Sequence, residues 1–208
     1  MGNLKRGIII SIQGYQRGTT NELASEAVRA GAIALRTDKP IKLQEGIERV
    51  PVIGLHKLHV RSPSKEPYIT ATVEALEQVA AWADYVAIDC RELNAERAAL
   101  LQWCSERKVK VVADVETMKD VYTLMESGGA AVDYIATTFS VFHKNHRPDL
   151  ELVVALAANG IKNVIAEGNY SSRVDVRQAL QSGAHAVCIG SAVSNVYKLT
   201  RKYTTLEF

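Results

Sequence analysis

Residues 85–114, YVAIDCRELNAERAALLQWCSERKVKVVAD, decide the fold of this chain. A short apolar run, Tyr85 to Asp89, is followed by an amphipathic segment, Ala95 to Lys108, and then by a second apolar run, Val109 to Asp114. Two extended runs separated by a helix-length segment are the pattern of parallel strands, because parallel neighbours need a crossover connection rather than a tight turn.

The same alternation continues in both directions. Strand runs are expected at Gly7 to Gln13, Ala32 to Arg36, Val50 to Lys57, Tyr134 to Thr138, Asn163 to Glu167 and Ala186 to Ser191, which brings the total to eight. Helices are expected at Asn21 to Arg29, Pro40 to Glu48, Val73 to Trp82, Thr117 to Ser127, Asp149 to Asn159, Ser172 to Ser182 and Val196 to Tyr203. Gly31, Gly128, Gly160 and Gly183 fall just past four of these helices, where a residue without a Cβ closes the last turn most easily. Eight such units, with no GxGxxG after the first strand, predict a closed (β/α)8 TIM barrel of the phosphate-binding type rather than an open doubly wound sheet. No linker divides the chain, so one barrel domain over residues 1–208 is expected. The stretch from His59 to Pro67 is the longest irregular one near the front and a candidate lid.

Composition bounds the partners. Hydrophobic residues make up 47% of the 208 positions and charged residues 23%, enough apolar side chain for a closed core. The net charge of +2 is spread among acids rather than gathered in a block, which argues against nucleic acid and leaves small anions open. No segment approaches the roughly 20 apolar residues that span a bilayer, and no secretory signal pattern opens the chain, so no membrane association and a cytoplasmic location are expected. Cys90, Cys104 and Cys188 are widely spaced and read as small buried hydrophobes. The HxxH spacings His56/His59 and His143/His146 come without converging acids, so no metal is expected. A homodimer is compatible with all of this.

In a parallel barrel the carboxyl ends of the strands carry the function. Here the eight runs end in or beside polar side chains: Gln13, Arg36, Lys57, Asp89, Asp114, Thr137 or Thr138, Glu167 and Ser191. Lys57 and Glu167 follow the third and seventh strands, which face each other across an eight-membered ring. Opposed groups suit inversion of a carbon beside a carbonyl, one taking a proton from one face and the other returning a proton to the opposite face. A lysine titrating at about 10.4 is a poor base at neutral pH, so Lys57 would need burial or a neighbouring cation such as Arg36. The competing reading of Lys57 is a salt bridge to a strand-end acid such as Asp89. Gly168 and Asn169 after the seventh strand, and Gly190 and Ser191 after the eighth, stand where barrels bind phosphate through backbone N–H groups.

Several of these segments, Gly7 to Gln13, Ala34 to Arg36, Val52 to Lys57, Tyr68 to Thr72, Val86 to Asp89, Val112 to Asp114, Asp133 to Thr138 and Val164 to Asn169, together resemble the N-acetylmannosamine-6-phosphate 2-epimerases of bacterial sialic acid catabolism. The resemblance runs along nearly the whole chain. It implies an isomerase that interconverts N-acetylmannosamine 6-phosphate and N-acetylglucosamine 6-phosphate at carbon two, without a metal or organic cofactor. It further implies Lys57 and Glu167 as catalytic residues, Gln13 and Arg36 as sugar-binding residues, Asp114 as an acid supporting substrate or lysine, and Gly168, Asn169, Gly190 and Ser191 as the phosphate loops. Asp89 and Thr138 join the substrate-binding candidates by their strand-end positions. The chain departs from the family after the eighth strand, where Ala192-Val-Ser-Asn195 has no arginine for the phosphate; Ser194, Arg173 and Arg201 are candidate replacements. A different sugar-phosphate epimerase and a non-catalytic sugar-phosphate sensor are the alternatives.

Overall fold

The computed structural model of the chain describes residues 3–12, 20–61, 67–91, 94–127, 132–138 and 147–204. Gln13, Gly128, His143 and His146 lie outside them. The strands are β1 (Gly7–Ile12), β2 (Ala34–Thr37), β3 (Val52–Gly54), β4 (Lys57–Arg61), β5 (Pro67–Ile69), β6 (Tyr85–Asp89), β7 (Val111–Asp114), β8 (Tyr134–Ala136), β9 (Val164–Glu167) and β10 (Ala186–Ile189). Eight of them close a parallel barrel in the order β1-β10-β9-β8-β7-β6-β3-β2, and β4 and β5 form a separate antiparallel pair. The helices are α1 (Thr20–Arg29), α2 (Val73–Ala80), α3 (Ala95–Arg107), α4 (Met118–Glu126), α5 (Leu150–Ala158), α6 (Arg173–Gln181), α7 (Ser191–Ser194) and α8 (Val196–Thr204).

Side-chain alternation along each strand separates two apolar layers. In β6, Tyr85 and Ala87 join Ile9, Ala34, Ile53, Val112, Tyr134 and Ile165 inside the barrel. Val86 and Ile88 pack outward with Leu100, Leu101 and Cys104 of α3 and Val121 of α4. The barrel floor is closed by the N-terminal segment. Leu4 donates its N–H to the Tyr134 hydroxyl at 3.0 Å, and its carbonyl lies 2.9 Å from His185 Nε2.

Local chemistry explains where the helices begin. Thr72, Asn94, Thr117, Asp149 and Ser172 each accept a hydrogen bond from the backbone N–H of the third residue of α2 to α6, satisfying a donor that the helix itself leaves open. At α4 the bond is reciprocated by Asp120 in a capping box.

Several expectations fail. No helix forms from Pro40 to Glu48. The segment runs extended against α1, whose side chains satisfy its backbone: Lys42 N–H donates to Asn21 Oδ1 and Gln44 N–H to Ser25 Oγ, while Ile41 and Leu43 pack onto the cluster of Ala24 and Leu35. Tertiary partners supply what helical hydrogen bonds would have supplied. The third strand also ends early, at Gly54, and the stretch expected as an irregular lid is partly a hairpin pairing Lys57 with Ile69 and Leu58 with Tyr68. A short α7 also follows β10, where no helix was expected before Val196.

Candidate active site

One step beyond the apolar interior layer, the same inward alternation brings charged groups to the carboxyl ends of the strands. Arg36 follows Ala34 on β2, Asp114 follows Val112 on β7, and Glu167 follows Ile165 on β9. All three are buried. Arg36 donates from Nη1 to Asp114 Oδ1 at 3.1 Å and from Nη2 to Asp114 Oδ2 at 2.6 Å. Its Nη1 is also 3.2 Å from Glu167 Oε2. Arg36 Nε is buried without a hydrogen-bond partner among the described residues.

One guanidinium therefore serves two carboxylates. Burial pushes both acids above their ordinary range, and Arg36 opposes the shift at each. It acts at Asp114 through a bidentate pair and at Glu167 through one contact. Each acid also has a like charge nearby, Asp114 beside Glu167 and Asp89 beside Asp114, so the difference between them lies in the hold of Arg36. Glu167 is thus the group better suited to hold a proton. Burial pushes Arg36 down, but its two carboxylates outweigh that and keep it firmly charged.

Threonines fix Glu167 from the neighbouring strand end. Thr137 Oγ1 donates to the Glu167 carbonyl at 2.9 Å and accepts the Glu167 N–H at 3.0 Å. Thr138 Oγ1 lies 2.9 Å from Asp114 Oδ1 and 3.4 Å from Glu167 Oε2, bridging the two acids. Cys188, the Cα partner of Glu167 on β10, adds a thiol hydrogen bond. Sequence reading treated Cys188 as another buried hydrophobe. Its inward register, shared with Ala186, was the signal for a polar role.

Lys57 stands at the base of the hairpin, on the opposite side of the ring from β9. It is half-buried, and burial pushes its ammonium below the ordinary lysine value. Arg36 adds in the same direction, while Asp38 and Glu167 oppose. The acid beside Lys57 is therefore Asp38, not the Asp89 considered from the sequence. The alternation Ala34, Arg36, Asp38 would have pointed to it. Asp89 is itself buried, and its Oδ1 accepts the N–H and Nε–H of Arg91 while Oδ2 lies 2.9 Å from Arg91 Nη2 and 4.0 Å from Arg97 Nη2. Its carboxylate is thus turned to arginines that sequence reading did not single out.

After β9, Gly168 and Asn169 have φ of 104° and 59°, and the Asn169 amide reaches the Arg147 carbonyl at 3.4 Å. After β10, Gly190 precedes α7, which Ser191 begins. Ser194 Oγ lies 2.9 Å from the Ser11 carbonyl and 3.1 Å from that of Gly190, tying α7 to β1, and Arg201 donates to the Tyr197 hydroxyl. Arg173 lines a groove of about 550 Å3 outside the barrel wall with Ile8, Val176, Ile189 and Ala192. Lys57, Arg36, Asp114 and Glu167 do not line that groove. Among the described residues, no three His, Cys, Asp or Glu side chains cluster as metal ligands, and no helix is long and apolar enough to cross a membrane.

Residues 20–206 match a family model described as "Putative N-acetylmannosamine-6-phosphate epimerase". A protein of Caldanaerobacter subterraneus named as a putative N-acetylmannosamine-6-phosphate 2-epimerase is 30% identical over 97% of this chain and 91% of its own length. Proteins with the same name from Klebsiella pneumoniae and Yersinia pestis are 32% and 33% identical, covering 88% and 93% of this chain and 79% and 86% of theirs. The solved structure of the N-acetylmannosamine-6-phosphate 2-epimerase from Clostridium perfringens superposes with a TM-score of 0.81 at 21% identity, over 97% of this chain and 93% of that one, a likeness of fold.

Proposed function

The chain belongs to the N-acetylmannosamine-6-phosphate 2-epimerase family, and on that premise we propose that it interconverts N-acetylmannosamine 6-phosphate and N-acetylglucosamine 6-phosphate by proton transfer at carbon two. In the open-chain sugar this carbon lies beside the aldehyde, so its proton is acidified and its removal leaves an enolate. Lys57 and Glu167 form the acid–base pair, acting on opposite faces. The directions of their shifts support this. Lys57 is made easier to deprotonate and Glu167 harder, so both move toward neutrality and each can exchange a proton there.

The Arg36 network carries the reading. A buried, fixed cation shared by Asp114 and Glu167 can stabilise charge developing on the enolate oxygen without reorganising. Its unpartnered Nε–H is a donor suited to a substrate oxygen. Asp114 holds the guanidinium, and Thr138 links the acids and borders the sugar. Gln13 completes the sugar contacts. Asp89 acts through Arg91 rather than by reaching the sugar itself. The phosphate is held by backbone N–H groups of Gly168, Asn169, Gly190 and Ser191. Removing and returning a proton at one carbon is redox-neutral. After a forward turnover Lys57 is protonated and Glu167 ionised, the state from which the reverse reaction starts.

The test is incubation with N-acetylmannosamine 6-phosphate in deuterated water, following the carbon-two proton by NMR. Formation of the gluco epimer with deuterium at carbon two is the expected result. Binding without exchange would instead favour a sugar-phosphate sensor. Exchange confined to another sugar phosphate would favour a different epimerase.

A further inference from the structure

The barrel ladder does not reach Lys57. β3 stops at Gly54, and Lys57 begins the hairpin strand β4. Thr70, directly after β5, joins the two. The His56 N–H donates to Thr70 Oγ1 at 3.1 Å, and the Thr70 N–H donates to the His56 carbonyl at 2.7 Å. Both bonds fall on the residue immediately before Lys57.

Thr70 makes this clasp in an unfavourable conformation. Its φ is 48° and it is fully buried. A β-branched residue in the left-handed region is a genuine outlier and persists only where its surroundings over-determine it. Helix capping does not explain it. Thr72 caps α2 by accepting the Ala75 N–H, so the two threonines of Thr70-Ala-Thr72 have different tasks.

We propose that Thr70 is a positioning residue for Lys57, its two hydrogen bonds to His56 fixing the turn that aims the lysine into the barrel mouth. The inference rests on the reading of Lys57 as a catalytic base. Lys57 there faces Asp38 and Arg36 at the end of β2 and Glu167 at the end of β9. Loosening the turn releases the side chain toward solvent and away from Arg36.

The experiment measures kcat, KM and melting temperature of the full chain with N-acetylmannosamine 6-phosphate from acid to alkaline pH, for wild type, Thr70→Val, Thr70→Ser and Lys57→Ala. Thr70→Val keeps the shape and removes the acceptor, whereas Thr70→Ser keeps the hydroxyl. Thr70→Val should lose about tenfold or more in kcat with little change in KM, as misplacement of a reacting group does. The limb of its pH profile that reports Lys57 should move up toward the ordinary lysine range, and Thr70→Ser should restore both. A folded Thr70→Val with an unmoved Lys57 limb, whether or not its rate falls, overturns the proposal, as does a Thr70→Ser no better than Thr70→Val. If Thr70→Val does not fold, Thr70→Gly tolerates the left-handed backbone without a hydroxyl and is judged by the same criteria. An active Lys57→Ala would defeat the reading of Lys57 itself. An inactive Lys57→Ala beside an unimpaired Thr70→Val would defeat only the role of Thr70.

Discussion

Arg36 and Asp114, on strands that are not neighbours in the barrel, meet through two guanidinium–carboxylate hydrogen bonds of 2.6 and 3.1 Å with both side chains buried. The pair spans the top of the barrel interior, and the same guanidinium reaches Glu167. Breaking such a pair leaves a buried charge poorly compensated, which costs more than the intact pair contributes.

Asp114→Ala should therefore destabilise the protein by about 3 kcal/mol, the lower end for a broken buried pair because Glu167 partly compensates Arg36. Chemical denaturation gives the value. A loss below about 1 kcal/mol, the scale of a surface pair, would show that Asp114 is not a principal partner of Arg36.

Lys57→Ala and Glu167→Gln should each lower turnover by about 10²–10⁴-fold without unfolding the barrel. Their isotope behaviour should differ from simple loss. With one proton-transfer group removed, the other can still exchange the carbon-two proton on its own face without inverting the carbon. Full epimerisation by either variant would contradict assignment of the two roles to these residues.

The limb of the pH–rate profile that reports Lys57 should lie below the ordinary lysine range, because burial and Arg36 favour its neutral amine. Asp38→Asn removes the charge that most opposes this shift and should move the limb further toward acid. A move toward alkaline pH would show that Asp38 does not act on Lys57 through its charge.

Stability offers a separate check on Glu167. A carboxyl raised in the folded state binds its proton more tightly there than in the unfolded chain, so its contribution is complete below the unfolded pKa of about 4.3 and is lost as pH rises through the folded value. Glu167→Gln, neutral throughout, should melt a few degrees above wild type at mildly alkaline pH, with the gap closing on acidification. A lower melting temperature at alkaline pH would show that Arg36 keeps Glu167 ionised.

Gly54 ends β3 against α2, where an added Cβ would lie 2.6 Å from Ala83 Cβ and from Val79 Cγ1 and 2.8 Å from the Trp82 ring. Gly54→Ala should cost about 1–3 kcal/mol by overpacking, read as a fall in melting temperature. An unchanged melting temperature would mean that α2 can move off the strand.

Much of this molecule was legible beforehand because its signals are local. Tyr85–Asp89 appears in the structure with the same limits as in the sequence, and alternating apolar residues announced the other barrel strands to within a few positions. The segment Pro40 to Glu48 misled because its backbone partners, Asn21 and Ser25, lie on another element. Asp89 misled for a related reason: standing at a strand end says that a carboxylate can face the site, but not that Arg91 will take it.

The sequence by itself determined the number and order of the barrel strands and the polar residues at their ends, since period-two alternation and crossover spacing are properties of the chain alone. Only the tertiary structure decided what those residues do to one another. Arg36 became the shared counterion of Asp114 and Glu167, Asp38 became the neighbour of Lys57, and Thr70 became the clasp on His56. The physical reason is that burial and charge pairing depend on distances across the barrel, between residues as many as 131 positions apart in the case of Arg36 and Glu167 (167 − 36), which no local pattern encodes.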